Sequence, residues 1–424
     1  MTVNRRKLLT SMAALGAAAA FPGLARADDD DDSDSIWDIL SRNVRRKQVD
    51  PDKNTSAALA IIDTPEPILS FDTVNNIQTA IAYYQQVVQQ GGWEPITRAA
   101  FGLLNGKDGQ PVIPLKRQLM LTGDMTPAPR VDDRFDDAMD LAVRKFQVRH
   151  GVVPTGKIDE RTFYAMAVTA DQRLAQLQLN QQRVTNETGA LADSYVAVNI
   201  PAASLEAIDG GMVTQRHTAV VGRIDRPTPL VNSKIMQINF NPFWHVPKSI
   251  IQKDLIPQMQ KDPTYLADFH IRAYNSKGQE VDPSTVDWTS PTDALNYAFT
   301  QDPGAFNSEG HVKINFPSPD DVYLHDTPEK ELFAEDERFD SSGCVRVKDV
   351  DQLVTWLLRE NGGWALEDVQ SAMESNQRLD VTLKKQTPLH TTYVTAWSNR
   401  MGTVSFRDDV YQLDAQGQLA LSSG

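Results

Sequence analysis

The spacing of apolar residues changes near Tyr195 of this 424-residue chain, and that change limits the fold more than any other feature. Before it, Ile77, Ala80, Ile81, Tyr84 and Val88 recur at three- and four-residue steps over 72–90. Phe135, Met139, Ala142 and Phe146 do the same over 134–148. Such steps gather apolar side chains on one helical face. After it, YVAVNI (195–200), TAVVGRI (218–224) and KIMQINF (234–240) alternate, as half-buried strands do. The chain therefore reads as multidomain α+β, with a helical region over 67–190 and a β-rich region over 195–415.

Further helices are expected near 113–121, over 159–183, where Phe163, Met166, Leu174 and Leu177 recur, and over 349–359. IRAYNSKGQEV (271–281) reads as a hairpin turning at Lys277-Gly278. HVKINF (311–316), DVYLHD (321–326), TTYVTAWSN (391–399) and TVSFRDDVYQLD (403–414) read as strands. Residues 245–310 interrupt the strands for longer than an ordinary connection and are expected to hold structure of their own, including a helix within 245–268.

The first 27 residues read as an export signal: Arg5, Arg6 and Lys7, an Ala-rich apolar run, then Ala25-Arg26-Ala27. The paired arginines resemble a twin-arginine signal. Residues 28–66 read as an acidic start, DDDDDSDS, and a linker. The expectation is a periplasmic protein, soluble once its signal is cleaved. The net charge is −14, and losing the basic leader makes it more negative. That argues against nucleic acid as a partner.

Cys344 is the chain's one cysteine, so it cannot pair internally. An unpaired thiol outside the cytosol is open to oxidation and intermolecular bonding, which raises the case for a working role, with a buried inert thiol as the alternative. It follows Ser341-Ser342-Gly343 in a tight turn, and His325 ends an expected strand upstream. A Cys-His pair needs a base close to the thiol, a group that orients the imidazole, and donors for an oxyanion. Asp326 is the candidate orienting group, through its carbonyl or its carboxylate. The amides around Gly343 and Cys344 are the candidate oxyanion donors. The seven histidines form no recognisable metal motif, and no cofactor is expected. A papain-like protease would place Cys before His, the reverse of the order here.

His325 followed by Ser341-x-Gly343-Cys344-x-Arg346 resembles the L,D-transpeptidase (YkuD-type) catalytic domain. YLHDT, SSGCVRV, WHVPKSI and QDPGAFNSEGHVKINFP resemble its large periplasmic branch. The resemblance implies Cys344 as nucleophile and His325 as general base and acid. It also implies substrate contacts at Arg346, Tyr323, Ser341, Ser342 and Trp244, with Arg346 and Ser341 alternatively holding the turn, and a lid-like insertion over 245–310 whose groove Trp244, Tyr265 and Trp288 would line unless they pack as core. The implied reaction takes a tetrapeptide donor stem, releases its terminal D-alanine, and forms a 3→3 peptidoglycan crosslink through a thioester. L,D-carboxypeptidase, D-amino-acid exchange and protein anchoring share the donor half-reaction. A non-catalytic peptidoglycan-binding scaffold is the remaining alternative. The sequence departs from many relatives at Ser342, where smaller members have a second histidine, and at Thr300 and Ser318.

PLKRQLMLTGDM and FDDAMDLAVRKFQVRHGVVPTGKIDERTFYAM, about 110–170, resemble a three-helix peptidoglycan-binding domain. Leu115, Leu119, Leu121, Val143, Phe146, Gly151, Gly156, Ile158 and Thr162 fit its pattern, mostly as core and turn positions. The partners implied are peptidoglycan stem peptides and glycan, with cell-wall synthesis proteins as a further candidate class.

Overall fold

The computed structural model describes residues 52–189 and 191–417. The expected export signal and acidic run lie outside the described residues. Among the described residues, six α-helices precede the strands: α1 (Lys53–Leu59), α2 (Phe71–Gln89), α3 (Val112–Leu121), α4 (Asp137–Arg149), α5 (Glu160–Ala167) and α6 (Ala170–Thr188). Helix α1 falls within the expected linker. Asp52 caps it, and Asn54 donates to Asp140 of α4 at 2.8 Å. The buried face of α2 closes with Val87 rather than Val88.

The helix expected over 159–183 is two helices. Val168 is extended, and Thr169 with Gln172 forms a capping box that starts α6. A Thr-x-x-Gln box satisfies the first free N–H groups of a new helix, so it outcompetes continuation of the old one. Helices α3, α4 and α5 close on a core of Leu115, Leu119, Phe135, Val143, Phe146 and Ile158. Gln147 ties the following turn by donating to Thr155 Oγ1, Lys157 O and Thr162 Oγ1.

The strands are β1 (Ser194–Asn199), β2 (Ser204–Asp209), β3 (Met212–Gly222), β4 (Asn232–Phe240), β5 (Trp244–His245), β6 (Ile271–Tyr274), β7 (Glu280–Val281), β8 (Ala298–Gln301), β9 (Val312–Asn315), β10 (Leu324–His325), β11 (Phe339–Ser341), β12 (Val345–Val347), β13 (Leu379–Thr392), β14 (Ala396–Ser398) and β15 (Val404–Phe406). Nine form one sheet in the order β11-β3-β12-β10-β9-β4-β13-β1-β2, and β2 pairs back onto β3. Strand β3 pairs with β2 along Met212–Thr218 and with β12 beyond it, so the sheet bends round on itself. Val196, Val198, Leu205, Val221, Ile235, Ile238, Ile314 and Leu324 fill the interior, and the helix Val350–Leu357 packs onto it.

Strand β2 has no alternating pattern to read because it is buried on both faces. Its Glu206 is 1% exposed, accepts from Ile68 N at 2.8 Å and pairs with Arg216. The insertion forms a second sheet, β5-β8-β6-β7, with helical turns from Lys248 to Asp268 and a core of its own around Trp244, Leu255, Tyr265 and Phe299. The expected hairpin turns at Lys277-Gly278, where Gly278 N donates to Asn275 O.

One expectation changes at the end of the chain. TTYVTAWSN and TVSFRDDVYQLD do not extend as two strands of the catalytic sheet. They supply the end of β13 and the separate β14–β15 hairpin, whose Val394, Ala396, Val404 and Phe406 pack with Ile77, Ile81, Tyr84 and Leu177 of the helical region. Buried polar contacts hold this return: Arg149 donates to Val404 O at 2.9 Å, Gln176 to Arg407 O at 2.9 Å and Arg183 to Tyr393 O at 2.7 Å. The helical region is therefore joined to the sheet by the chain's own C-terminal part. No described helix is long and apolar enough to cross a membrane.

Candidate active site

Strands β10 and β12 are parallel neighbours, with Leu324 opposite Val345 and His325 opposite Arg346. Val345 N donates to Tyr323 O at 3.0 Å. Cys344 stands one residue before β12, so this register brings it beside the Tyr323–His325 segment. Cys344, His325, Tyr323, Trp244, Ser341, Ser342 and Arg346 all border one cavity of about 430 Å³. Its far wall is Pro247 to Ile250 of the insertion.

His325 is 6% exposed, and its Nδ1 lies 2.5 Å from Asp326 O. A carbonyl only accepts, so Nδ1 carries the proton and Nε2 keeps its lone pair. Of the two ways open to Asp326, the structure uses the backbone carbonyl. The Asp326 carboxylate turns away, accepting from His311 N at 3.0 Å and from Lys330 Nζ. Burial, reinforced by the nearby Arg346 charge, pulls His325 down to about 3. Burial likewise pushes the Cys344 thiol up to about 11, against the opposing effect of the Tyr323 backbone. At neutral pH the resting pair is thus a thiol and a neutral imidazole, not a preformed thiolate and imidazolium.

The turn carrying Cys344 is tied from three sides. Ser341 Oγ donates to Cys344 O at 2.5 Å and accepts from Gly343 N at 3.2 Å. Thr228 Oγ1 donates to Gly343 O at 2.9 Å while accepting from Gly222 N at 2.8 Å. Arg226 Nη1 donates to Ser342 Oγ at 3.0 Å. Gly343 has φ +111°, a backbone state that a side chain would strain, and this sets the direction of the Cys344 amide. A Cβ on Gly222 would collide with the Arg226 carbonyl, so the 222–228 loop can support the turn only with glycine there.

Arg346, implied as a substrate contact, is 2% exposed and paired with the buried Glu329 at 2.5 Å. Ser341 is 2% exposed and committed to the turn. Trp244 is 3% exposed and belongs to the insertion's core, though it also borders the cavity. Tyr265 and Trp288 also pack into that core and do not border the cavity. Thr300 lies in β8, where its hydroxyl contacts His245 Nδ1 at 3.2 Å, and Ser318 lies in the loop after β9.

Sequence reasoning missed Glu309, Lys313, Arg226, Asp254 and Glu329. Glu309 borders the cavity, 1% exposed, and bonds Lys313 Nζ at 2.8 Å. Lys313 in turn lies 3.6 Å from the centre of the Tyr323 ring. Arg226 pairs with Asp254 of the insertion at 2.5 Å. Arg226, Asp254 and Glu329 come from separate segments that no local pattern links, whereas Glu309 and Lys313 stand four residues apart within QDPGAFNSEGHVKINFP, a signal that could have found them.

Residues 193–400 match the family model described as the L,D-transpeptidase catalytic domain, and residues 108–166 match the "Putative peptidoglycan binding domain". The β-rich region belongs to the L,D-transpeptidase family. It follows a peptidoglycan-binding-type helical domain, as the sequence patterns suggested. A curated relative from Haemophilus influenzae, described as a "Putative L,D-transpeptidase", is 35% identical over 225 residues. The match takes in 53% of this chain and 45% of the relative, so the chain spans less than half of that protein's length.

Two solved structures show weaker likeness. The "Structure of the Ldtfm-avibactam carbamoyl enzyme" is matched over 48% of this chain and 51% of that one, at 10% identity and a TM-score of 0.24. The L,D-transpeptidase (residues 123–326) from Xylanimonas cellulosilytica is matched over 70% of this chain and 100% of that one, at 13% identity and a TM-score of 0.23. Scores this low carry no argument about the shared fold.

Proposed function

We propose that this protein forms 3→3 peptidoglycan crosslinks through a thioester on Cys344. The observation that carries the reading is the parallel β10–β12 register, which sets His325 and Cys344 in one cavity with the imidazole held in its base-competent tautomer. The Cys344 sulfur attacks the carbonyl of the L-centre of the third stem residue, and the thiol proton passes to His325 Nε2. The bond to the terminal D-alanine breaks, and His325 returns that proton to the departing amine. A second stem's amine then attacks the thioester, His325 takes its proton, and Cys344 leaves as the thiol.

Because both resting groups are neutral, proton transfer accompanies attack rather than preceding it. The Cys344 amide is the better-placed oxyanion donor, since Gly343 N already serves Ser341 Oγ. The insertion wall supports a covering role that limits water in favour of the amine. Arg346 and Ser341 act here by holding the catalytic turn, while Tyr323, Ser342 and Trp244 face the donor stem. Export to the periplasm, with cleavage near Ala27, would bring the enzyme to its polymer.

The test is incubation of the mature protein with tetrapeptide-stem peptidoglycan, followed by mass spectrometry, with Cys344→Ala in parallel. Dimers joined 3→3, absent in the variant, are expected. Tripeptide monomers alone would make the enzyme a carboxypeptidase. Unchanged stems, with no thioester on Cys344 by intact mass, would overturn the catalytic reading.

A further inference from the structure

A cavity of about 380 Å³ lies in the seam between the helical region and the sheet. Gly151, Arg161, Ile224, Arg338, Phe339 and Arg407 border it. A neighbouring cavity of about 660 Å³ shares Arg338 and Arg407 with it, so space adjoins both guanidinium groups from two directions.

The two arginines differ from the cation beside them. Arg161 has carboxylate partners, Glu337 at 2.5 Å and Asp408 at 3.3 Å. Among the described residues, Arg338 and Arg407 form no ion pair and are met by carbonyls instead. Arg338 donates to Glu335 O at 2.8 Å and Ala202 O at 3.2 Å, and its Nε is buried without a partner. Arg407 donates to Arg149 O at 2.9 Å and Phe406 O at 2.7 Å, and lies 4.9 Å from the Trp397 ring centre. Carbonyl dipoles solvate a cation without neutralising it. Burial and the mutual repulsion with Arg338 pull Arg407 down to about 9, and burial also lowers Arg338.

We propose that this seam cavity binds a free carboxylate of a peptidoglycan stem peptide, with Arg338 and Arg407 as its cationic readers. The class of ligand follows from the whole wall. Two guanidinium groups with no close ion pair of their own suit one carboxylate, with Asp336 and Asp408 acting on Arg338 and Arg407 only at longer range. Asp225, Asp336, Glu337, Asp340 and Asp408 also border the cavity, with Asp225 paired to Arg223 and Glu337 to Arg161, and this acidic share of the wall disfavours a polyanion and complements a peptide's ammonium group. Ile224, 58% exposed, and Phe339 offer apolar contact for aliphatic side chains.

The position links the cavity to the chemistry. Strand β11 runs from Phe339 in its wall to Ser341 at the catalytic turn, and Arg223 N donates to Ser341 O at 2.9 Å. A stem held there lies beside the turn that presents Cys344, at the junction of the peptidoglycan-binding-type domain and the enzyme. The identity of the ligand rests on the peptidoglycan reading above.

The test uses full-length Cys344→Ala protein with labelled isoleucine methyls, titrated with a synthetic stem tetrapeptide bearing free carboxylates. The same peptide with every carboxyl amidated is the control. The Ile224 methyl reports the seam, and the Ile250 methyl reports the cleft. Saturable movement of Ile224 is expected, with roughly tenfold weaker binding of the amidated peptide, as loss of a charge-assisted hydrogen bond implies. Arg338→Gln and Arg407→Gln should each weaken the Ile224 response by about tenfold while sparing that of Ile250.

Movement of Ile250 alone overturns the seam site and leaves the cleft reading standing. Movement of Ile224 alone does the reverse. A silent Ile224, or one that responds equally to both peptides, overturns the proposal. The amidated peptide decides the matter on unaltered arginines should either variant fold poorly.

Discussion

The catalytic sheet and the insertion are built on different cores. Leu324, Val345 and Val347 of the strands flanking the site belong to the large sheet interior, and Cys344 packs against it. The insertion gathers Trp244, Ile251, Leu255, Tyr265 and Phe299 into a separate cluster with no member in common. A buried ion pair, Arg226–Asp254, joins the insertion to the catalytic turn through Ser342. The groups proposed to react thus sit beside the large sheet core, while the wall facing them has its own smaller core. Precise placement of a nucleophile and base benefits from the first, and admission of a bulky polymer benefits from the second.

The largest expected effect separates chemistry from folding. Cys344→Ala should remove turnover entirely with little change in melting temperature, and His325→Ala should slow thioester formation by about 10²–10⁴-fold. Retained turnover in Cys344→Ala would detach the site from the sheet core. The next effect is on stability. Glu329→Gln leaves Arg346 buried and uncompensated, and should cost about 3–5 kcal/mol in denaturant unfolding. A loss below about 1 kcal/mol, the range of exposed pairs, would mean the floor of the site is not buried in the working protein.

The pH dependence of the thiol tests the same setting. Alkylation follows the thiolate fraction, and a thiol near 11 beside an imidazole near 3 has no titration between them. Iodoacetamide should therefore react about tenfold faster per pH unit from 7 to 10, and about 100-fold slower at pH 7 than with an unburied thiol. A step near pH 6–7 would instead reveal a thiolate–imidazolium pair. The smallest effect is local. Asp254→Asn should cost about 2 kcal/mol and speed amide exchange across 248–261, leaving β10 and β12 protected. Equal loss of protection in all three would show that the two cores unfold as one.

The sequence by itself determined the division at Tyr195, the amphipathic helices, the hairpin at Lys277-Gly278 and the residues proposed for the chemistry. Each is written in short-range terms: a period, a turn pair, or a motif within about twenty residues. The break at Thr169 was equally local, since its capping box is readable. Strand β2 was not, because burial on both faces erases alternation, nor was the start of β13, whose exposed polar residues and Pro388 mask a strand. Only the tertiary structure decided that β14 and β15 return to the helical region, that His325 Nδ1 meets the Asp326 carbonyl, and that Arg346 faces Glu329 rather than open solvent. It also brought Glu309 and Lys313 to Tyr323, and left Arg338 and Arg407, among the described residues, without an ion pair in the seam. These outcomes depend on which distant side chains share a buried space, and burial sets both the partners and the protonation of the groups within it.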